Sequence, residues 1–487
     1  MIRQLLLAAF VSGLAVYAFR DWYKSLCGLI LLMAVVEHPD MPKSIFGVQG
    51  LNPWNILLVI VLVAWALNRS REGLYWDMPR LVAVVMGLYF SVIVVAFVRM
   101  MADMDGFYDY YALFGSTPPS QAATVSEFMV NCLKWVIPGL LLFDGCRDAS
   151  RFKLGILCLL GVYFLLGIQI IRWMPLSAAL TGGELSTRSL KVLLNEIGFH
   201  RVNLSMMMAG AFWAILSTVV LAATKPQKLM ISAAAFTVLF AQALTAGRAG
   251  YATWAVVGTI ACVLKWRKML LVIPVILFAV VSLVPGVAER MLQGVSTPTG
   301  EEFIGGETST SIDLSGDDVD LYVVTAGRNL VWPHVIEKIE ESLFVGYGRE
   351  AMKRTGIAQF MMLTYRESFP HPHSAYLETL LDNGVIGSLP VFLFYLMIVK
   401  YSVSLFLDAR SPTLMAGGGV CLFLVLALLV ASIGSQTFYP REGAVGMWCA
   451  IGLMLRLRVQ RERVEEKMTG AALPESIDQL LWAEERA

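Results

Sequence analysis

The chain has 487 residues, of which 57% are hydrophobic and only 15% charged, with a net charge of +1. Soluble domains carry about a quarter charged residues, so a soluble globular protein is excluded, and a mean hydropathy of +0.66 calls for repeated membrane spans. The basic residues sit in short clusters between apolar runs, which offers no surface for nucleic acid.

Apolar runs predict spans at roughly 4–19, 24–38, 51–68, 81–99, 124–143, 152–171, 202–223, 228–246, 250–264, 269–286, 385–406, 414–434 and 443–457. The first two are short, so the expectation is an all-α polytopic membrane protein with about 12–13 transmembrane helices. The opening run MIRQLLLAAFVSGLAVYAF is followed by RDWYK and by no A-x-A cleavage pattern, so it is read as the first span. The seven cysteines avoid the long polar loops and form no CxxC, against a disulfide framework or a zinc knuckle.

Basic clusters at 68–80, 146–153, 224–228, 265–268 and 456–463 are separated by even numbers of spans. The positive-inside rule places them in the cytoplasm. The longer loops 100–123, 172–201 and 287–384 then face outward, to the periplasm of a bacterial inner membrane. Within the last, the acidic, Gly- and Ser-rich segment GEEFIGGETSTSIDLSGDDVD reads as a solvated linker with no EF-hand spacing. It is followed by a short amphipathic helix with Val331, Val335, Ile336 and Ile339 on one face. The organisation expected is 1–201 as N-terminal spans, 202–406 as a core containing loop 287–384, and 407–487 as C-terminal spans and tail. No internal repeat is visible.

Ionisable residues in or beside spans on the outward side are the candidates for function. In the fifth span Glu127, Asn131 and Lys134 recur at spacings of four and three, on one helical face. A lysine there needs a partner or a water-filled cavity, so packing and cavity lining both stay open. Arg248 occupies a tight turn in QALTAGRAGYATW, with glycines on both sides that would let a bulky anion approach. An arginine snorkelling to lipid phosphate is the alternative. Arg328 follows a second Thr-Ala-Gly. Two guanidinium forks on one membrane face match the oxygens of a diphosphate. Arg441, in TFYPREGAVG, is a weaker instance of the same kind, a possible cavity-lining residue.

The stretch HPHSAYLETLLDNGVIG places two of the five histidines at a helix start. Pro372 keeps the helix from beginning earlier, Ser374 is the expected N-cap, and Tyr376, Leu377, Leu380 and Leu381 form the apolar face. Asp382-Asn383-Gly384 signals a bend into the next span. The helix dipole keeps His373 neutral and able to accept a proton, and it favours an anion nearby. His371 and His373 alone are too few ligands for a metal site, so no metal and no cofactor are expected.

HSAYLETLLDNGVIG resembles the signature of the O-antigen ligase and polymerase superfamily, through His373, Ser374, Tyr376, Leu377, Leu380, Leu381, Gly384 and Gly387. The family usually has asparagine where this chain has Ser374. TAGRAGYATW and GRNLVWPHVIEKIEESLFVGYG resemble its two earlier motifs, and the resemblance covers roughly 202–406. It implies a GT-C-type inner-membrane glycosyltransferase, metal-independent and inverting. Such an enzyme takes a glycan from undecaprenyl diphosphate and moves it to an acceptor hydroxyl at the periplasmic face. His373 would activate the acceptor, and Arg248 and Arg328 would hold the diphosphate. The leading expectation is an O-antigen ligase with lipid A–core as acceptor. A polymerase acting on the growing glycan, or a protein O-glycosyltransferase, shares donor and chemistry. A transporter should show repeat symmetry and paired mid-membrane charges, which are not seen.

Overall fold

The computed structural model describes residues 2–45, 48–292, 325–467, 477–478 and 480–482. The acidic segment 300–320 lies outside them. The architecture is all-α; the extended segments Ser44–Ile45 and Val48–Gln49 form one short antiparallel ladder. Seven helices among the described residues are long and apolar enough to cross a membrane, or eight if a pair bent by 107°, Ile273–Leu283 with Gly286–Leu292, counts as one span.

The polytopic all-α class stands, and the expected 12–13 spans reduce to about seven of full length. The reasons are local. Arg3–Ala18, Trp22–Ala34, Pro53–Arg69 and Arg248–Leu264 are apolar but short. The run at 269–286 breaks into a 3-10 turn and the bent pair. The run at 443–457 is the first part of helix Val445–Lys467, whose later turns carry Arg456, Arg458, Arg461 and Arg463.

Two helices form the centre. Arg201–Leu221 and Pro412–Ala431 are each 78% buried over their apolar windows, whereas Arg80–Ala102 is 33% buried and so lies at the rim. Small residues permit the close central packing: Gly210 faces Ala427, and Gly419 faces Ser217 and Phe406.

At one end of the bundle three of the basic clusters meet in an ion network. Asp77 accepts from Arg456 Nη1 at 2.7 Å and Nη2 at 2.6 Å, from Arg147 Nη1 at 3.2 Å and from Arg463 Nη2 at 2.5 Å. Arg456 is fully buried and also donates from Nε to Phe143 O at 2.8 Å. Asp77→Ala leaves that guanidinium without its carboxylate, which costs on the order of 3–5 kcal/mol for a buried pair. Thermal unfolding in detergent should show a large loss for Asp77→Ala and a small one for Arg463→Ala, whose side chain is partly exposed. Equal melting of Asp77→Ala and wild type would refute the role.

The opposite end carries a cap with its own small core, built from Val331, Val335, Met352, Met361 and Leu381. The expected amphipathic helix is Arg328–Glu341, but Ile336 is 45% exposed and belongs to its outer side. The cap docks into a helix break. Helix Ala375–Phe406 is interrupted only at Gly384, with φ 60° and ψ −171°. Its opened backbone groups pair with Leu343–Gly348: Tyr347 N donates to Leu381 O at 2.9 Å, Gly348 N to Asp382 O at 2.6 Å, and Val385 N to Leu343 O at 2.8 Å. A broken helix at membrane depth is stable only where such partners exist. The Gly346-Tyr347-Gly348 segment therefore fills the break at Gly384.

Candidate functional site

Arg248 and Arg328 sit on the same local structure. In each Thr-Ala-Gly-Arg the alanine is left-handed, with φ 55° at Ala246 and 52° at Ala326. The glycine is the N-cap, and the arginine is the first helical residue. Tight turning explains the small residues, and the helix start explains where the guanidinium is carried. A helix N-terminus presents unpaired N–H groups and the positive end of its dipole. Both turns thus suit an anion before the arginine charge is added.

The two arginines, far apart in sequence, come together in space. Arg328 lies within electrostatic reach of Arg248. Its Nη1 donates to Thr325 O at 2.8 Å and its Nη2 donates to Gly434 O. Ala249, next to Arg248, flanks the same Gly434. Burial, and then the Arg248 charge, holds the Arg328 guanidinium below its ordinary pKa. Its Nε is buried without a hydrogen-bond partner among the described residues.

His373 joins them from helix Ala375–Phe406. Ser374 is the N-cap, its Oγ accepting from Leu377 N at 3.5 Å, and Ala375 N donates to Ser432 O at 2.8 Å. His373 precedes the cap in a left-handed conformation, φ 53°. Among the described residues five non-glycines have positive φ. One is His373, and two others, Ala246 and Ala326, stand two residues before the arginines. Such strain gathers where function requires a fixed geometry. The histidine is half-buried. Burial first, then His371, Arg328 and His200, pushes its pKa down to about 3. The imidazole is therefore neutral at pH 7.

His371, although it precedes Pro372, lies at this helix end. Its ring lies 4.2 Å from that of His373, and its Nδ1 accepts from His373 N at 3.3 Å. Trp332 Nε1 donates to Pro372 O at 2.9 Å, which ties the segment to the cap helix. Among the described residues no three His, Cys, Asp or Glu side chains gather as metal ligands.

The other candidates lie beside this group. Arg441, exposed at the start of a 3-10 turn Glu442–Ala444, is within electrostatic reach of His371. Lys134 belongs to a separate cavity: its Nζ donates to Asn55 Oδ1 at 3.2 Å and stands 4.2 Å from the Trp135 ring centroid. Glu127 accepts from Asn131 Nδ2 at 3.1 Å.

Sequence reasoning missed several neighbours. His200 and Arg201, at the start of helix Arg201–Ser217, and Arg290, after the bend, are in electrostatic reach of His373 or Arg248. The rule that singled out Arg248, a cation beside a span on the outward side, would have found Arg201 and Arg290 too. A second group was also invisible. Arg349, 6% exposed, donates to Glu378 Oε1 at 3.2 Å and stacks at 3.5 Å on Tyr439, whose hydroxyl donates to Asp382 at 3.0 Å. That group fastens the cap to the helix behind His373. It also keeps Arg349 charged: burial alone would lower its pKa, but Glu378, Tyr439, Glu350 and Asp382 together raise it.

Residues 233–392 match the family model Wzy_C, O-antigen ligase. No curated protein matches the chain. The matched stretch holds Arg248, the Arg328 turn, the Gly346–Gly348 segment, His373 and the break at Gly384. Over that stretch, about a third of its length, this polytopic membrane protein is similar to the O-antigen ligase family.

Proposed function

We propose that the protein transfers a glycan from undecaprenyl diphosphate to an acceptor hydroxyl at the periplasmic face of the inner membrane, and that it is an O-antigen ligase with lipid A–core as acceptor. The observation that carries this reading is the meeting of a neutral His373 with Arg248 and Arg328, each arginine at the start of a helix. The acceptor oxygen attacks the anomeric carbon from the face opposite the diphosphate. The C–O bond to the diphosphate breaks, and its electron pair leaves with the phosphate oxygen. The acceptor proton goes to His373 Nε2 or Nδ1. Arg248 and Arg328 hold the growing charge on the leaving group.

The low pKa of His373 bears on the order of events. A base whose conjugate acid titrates at about 3 takes a proton poorly. Arg328 is one cause of that depression. A diphosphate seated on Arg328 offsets its field and raises the pKa towards the ordinary histidine value of about 6.5. Donor binding thus prepares the base.

Two measurements test the reading. Deletion of the gene should accumulate lipid-linked polymer beside unsubstituted core. Accumulation of single repeat units would instead make the protein a polymerase. For the sidedness, a phosphatase fused after Glu340 should be active and one fused after Gln460 inactive. The reverse pattern would put His373 in the cytoplasm and remove the proposal.

A further inference from the structure

We propose that the cavity around Asn131 and Lys134 is a saccharide-binding subsite, taking one or two neutral sugar rings from the glycan of the donor or of the acceptor. This rests on the glycosyltransferase reading above.

The cavity has a volume of about 400 Å³ and lies between helix Gln121–Gly145 and the start of helix Pro53–Arg69. That is within the range of about 300–1,000 Å³ usual for small-molecule sites. Its polar lining includes Lys43, Asn55, Glu127, Asn131 and Lys134, and Tyr111 and Phe128 supply rings.

The polar groups are held in place. Asn55 Nδ2 donates to Gly50 O at 2.6 Å, Lys134 Nζ donates to Asn55 Oδ1 at 3.2 Å, and Asn131 Nδ2 donates to Glu127 Oε2 at 3.1 Å. An ammonium has three donors and an amide both donors and an acceptor, so each keeps capacity for a ligand. A single π-helical turn, Ser126–Val130, interrupts the helix here. Such turns are often found at functional sites, because the inserted residue re-aims side chains. Here Glu127, inside the π turn, and Asn131 and Lys134, after it, line one cavity.

The charge distinguishes the ligand class. The ionisable groups in electrostatic reach of His373 are His371, Arg328 and His200, a set suited to phosphate. Here the two lysines of the lining are matched by carboxylates: Lys134 lies in reach of Glu37 and Glu127, and Lys43 pairs with Glu37 at 3.8 Å. A carboxylate repels phosphate but accepts from sugar hydroxyls, while Lys134 and the asparagines serve hydroxyl oxygens. Aromatic rings take the apolar face of a pyranose. Position supports the same use. Arg349, paired with Glu378 in the first turn behind His373, stands 5.6 Å from the Phe128 ring centroid. Arg349 thus links a ring of the cavity lining to the helix that starts beside His373.

The test uses the full-length protein in detergent. Saturation-transfer NMR with neutral trisaccharides of glucose, galactose and N-acetylglucosamine should show millimolar binding to wild type. Binding should weaken at least tenfold in Asn131→Leu and in Lys134→Gln. Inorganic pyrophosphate should still raise the melting temperature of both variants, which shows that they are folded. No saccharide binding to wild type, or equal binding by both variants, overturns the proposal. In a transfer assay the variants should raise KM at least tenfold for one substrate, and which substrate identifies the source of the glycan. A rise in neither overturns the subsite. Absence of transfer by wild type with saccharide binding intact would sink the transferase reading and leave the cavity standing.

Discussion

His373→Ala should lose glycan transfer by about 10²- to 10⁴-fold, the usual contribution of a positioned base, while the protein still inserts and still binds the lipid-linked donor. His371→Ala should lose much less, because His371 precedes the helix and is placed to support the His373 backbone and ring. The assay is transfer by purified protein in detergent with chelator present. The pH profile adds a check with a defined sign. A base works only unprotonated, so activity falls as pH drops through its pKa. For kcat/KM, which reports the free enzyme, that limb should lie far below the ordinary histidine value, following the pKa of about 3. For kcat, which reports the complex, it should lie higher, since bound diphosphate offsets Arg328. If His371→Ala is the dead variant, the roles of the stacked rings are exchanged. If chelation inactivates wild type and zinc restores it, a metal mechanism replaces the base.

Replacing either Arg248 or Arg328 by alanine or glutamate should cost about 10²- to 10³-fold in transfer, the scale of losing one charge-stabilising donor. Lysine at either position should keep partial activity, having the charge without the bidentate fork. Arg328 has a second task, since its terminal nitrogens bond Thr325 O and Gly434 O. Two readouts separate the tasks. Melting without ligand reports the tie, and stabilisation by pyrophosphate reports anion binding, which a site filled to about 100 times its Kd would show as about 2.7 kcal/mol. Unchanged transfer in Arg328→Ala would leave that residue as a tie alone.

Much of the candidate site was legible because its residues break local rules. An arginine in a turn of small residues, a histidine between a proline and an N-cap, and a glycine where a helix must bend are each visible in a short window. Ser374 as N-cap and Gly384 as the bend need only local backbone chemistry, and the structure has both. The all-α membrane class needs only composition.

What the sequence by itself determined is therefore what nearest neighbours along the chain decide: apolar runs, caps, bends, and the twin Thr-Ala-Gly-Arg turns. Helix lengths went astray where apolar runs end in charges paired across the bundle, as Arg456 is with Asp77. Only the tertiary structure brought Arg248, Arg328, His200 and His373 to one place, and only it fitted Leu343–Gly348 into the break at Gly384. The physical reason is that these are long-range encounters. A short window can show that a helix is broken, or that a charge is costly, but the partner that satisfies the open backbone or offsets the charge arrives from elsewhere in the chain through helix packing.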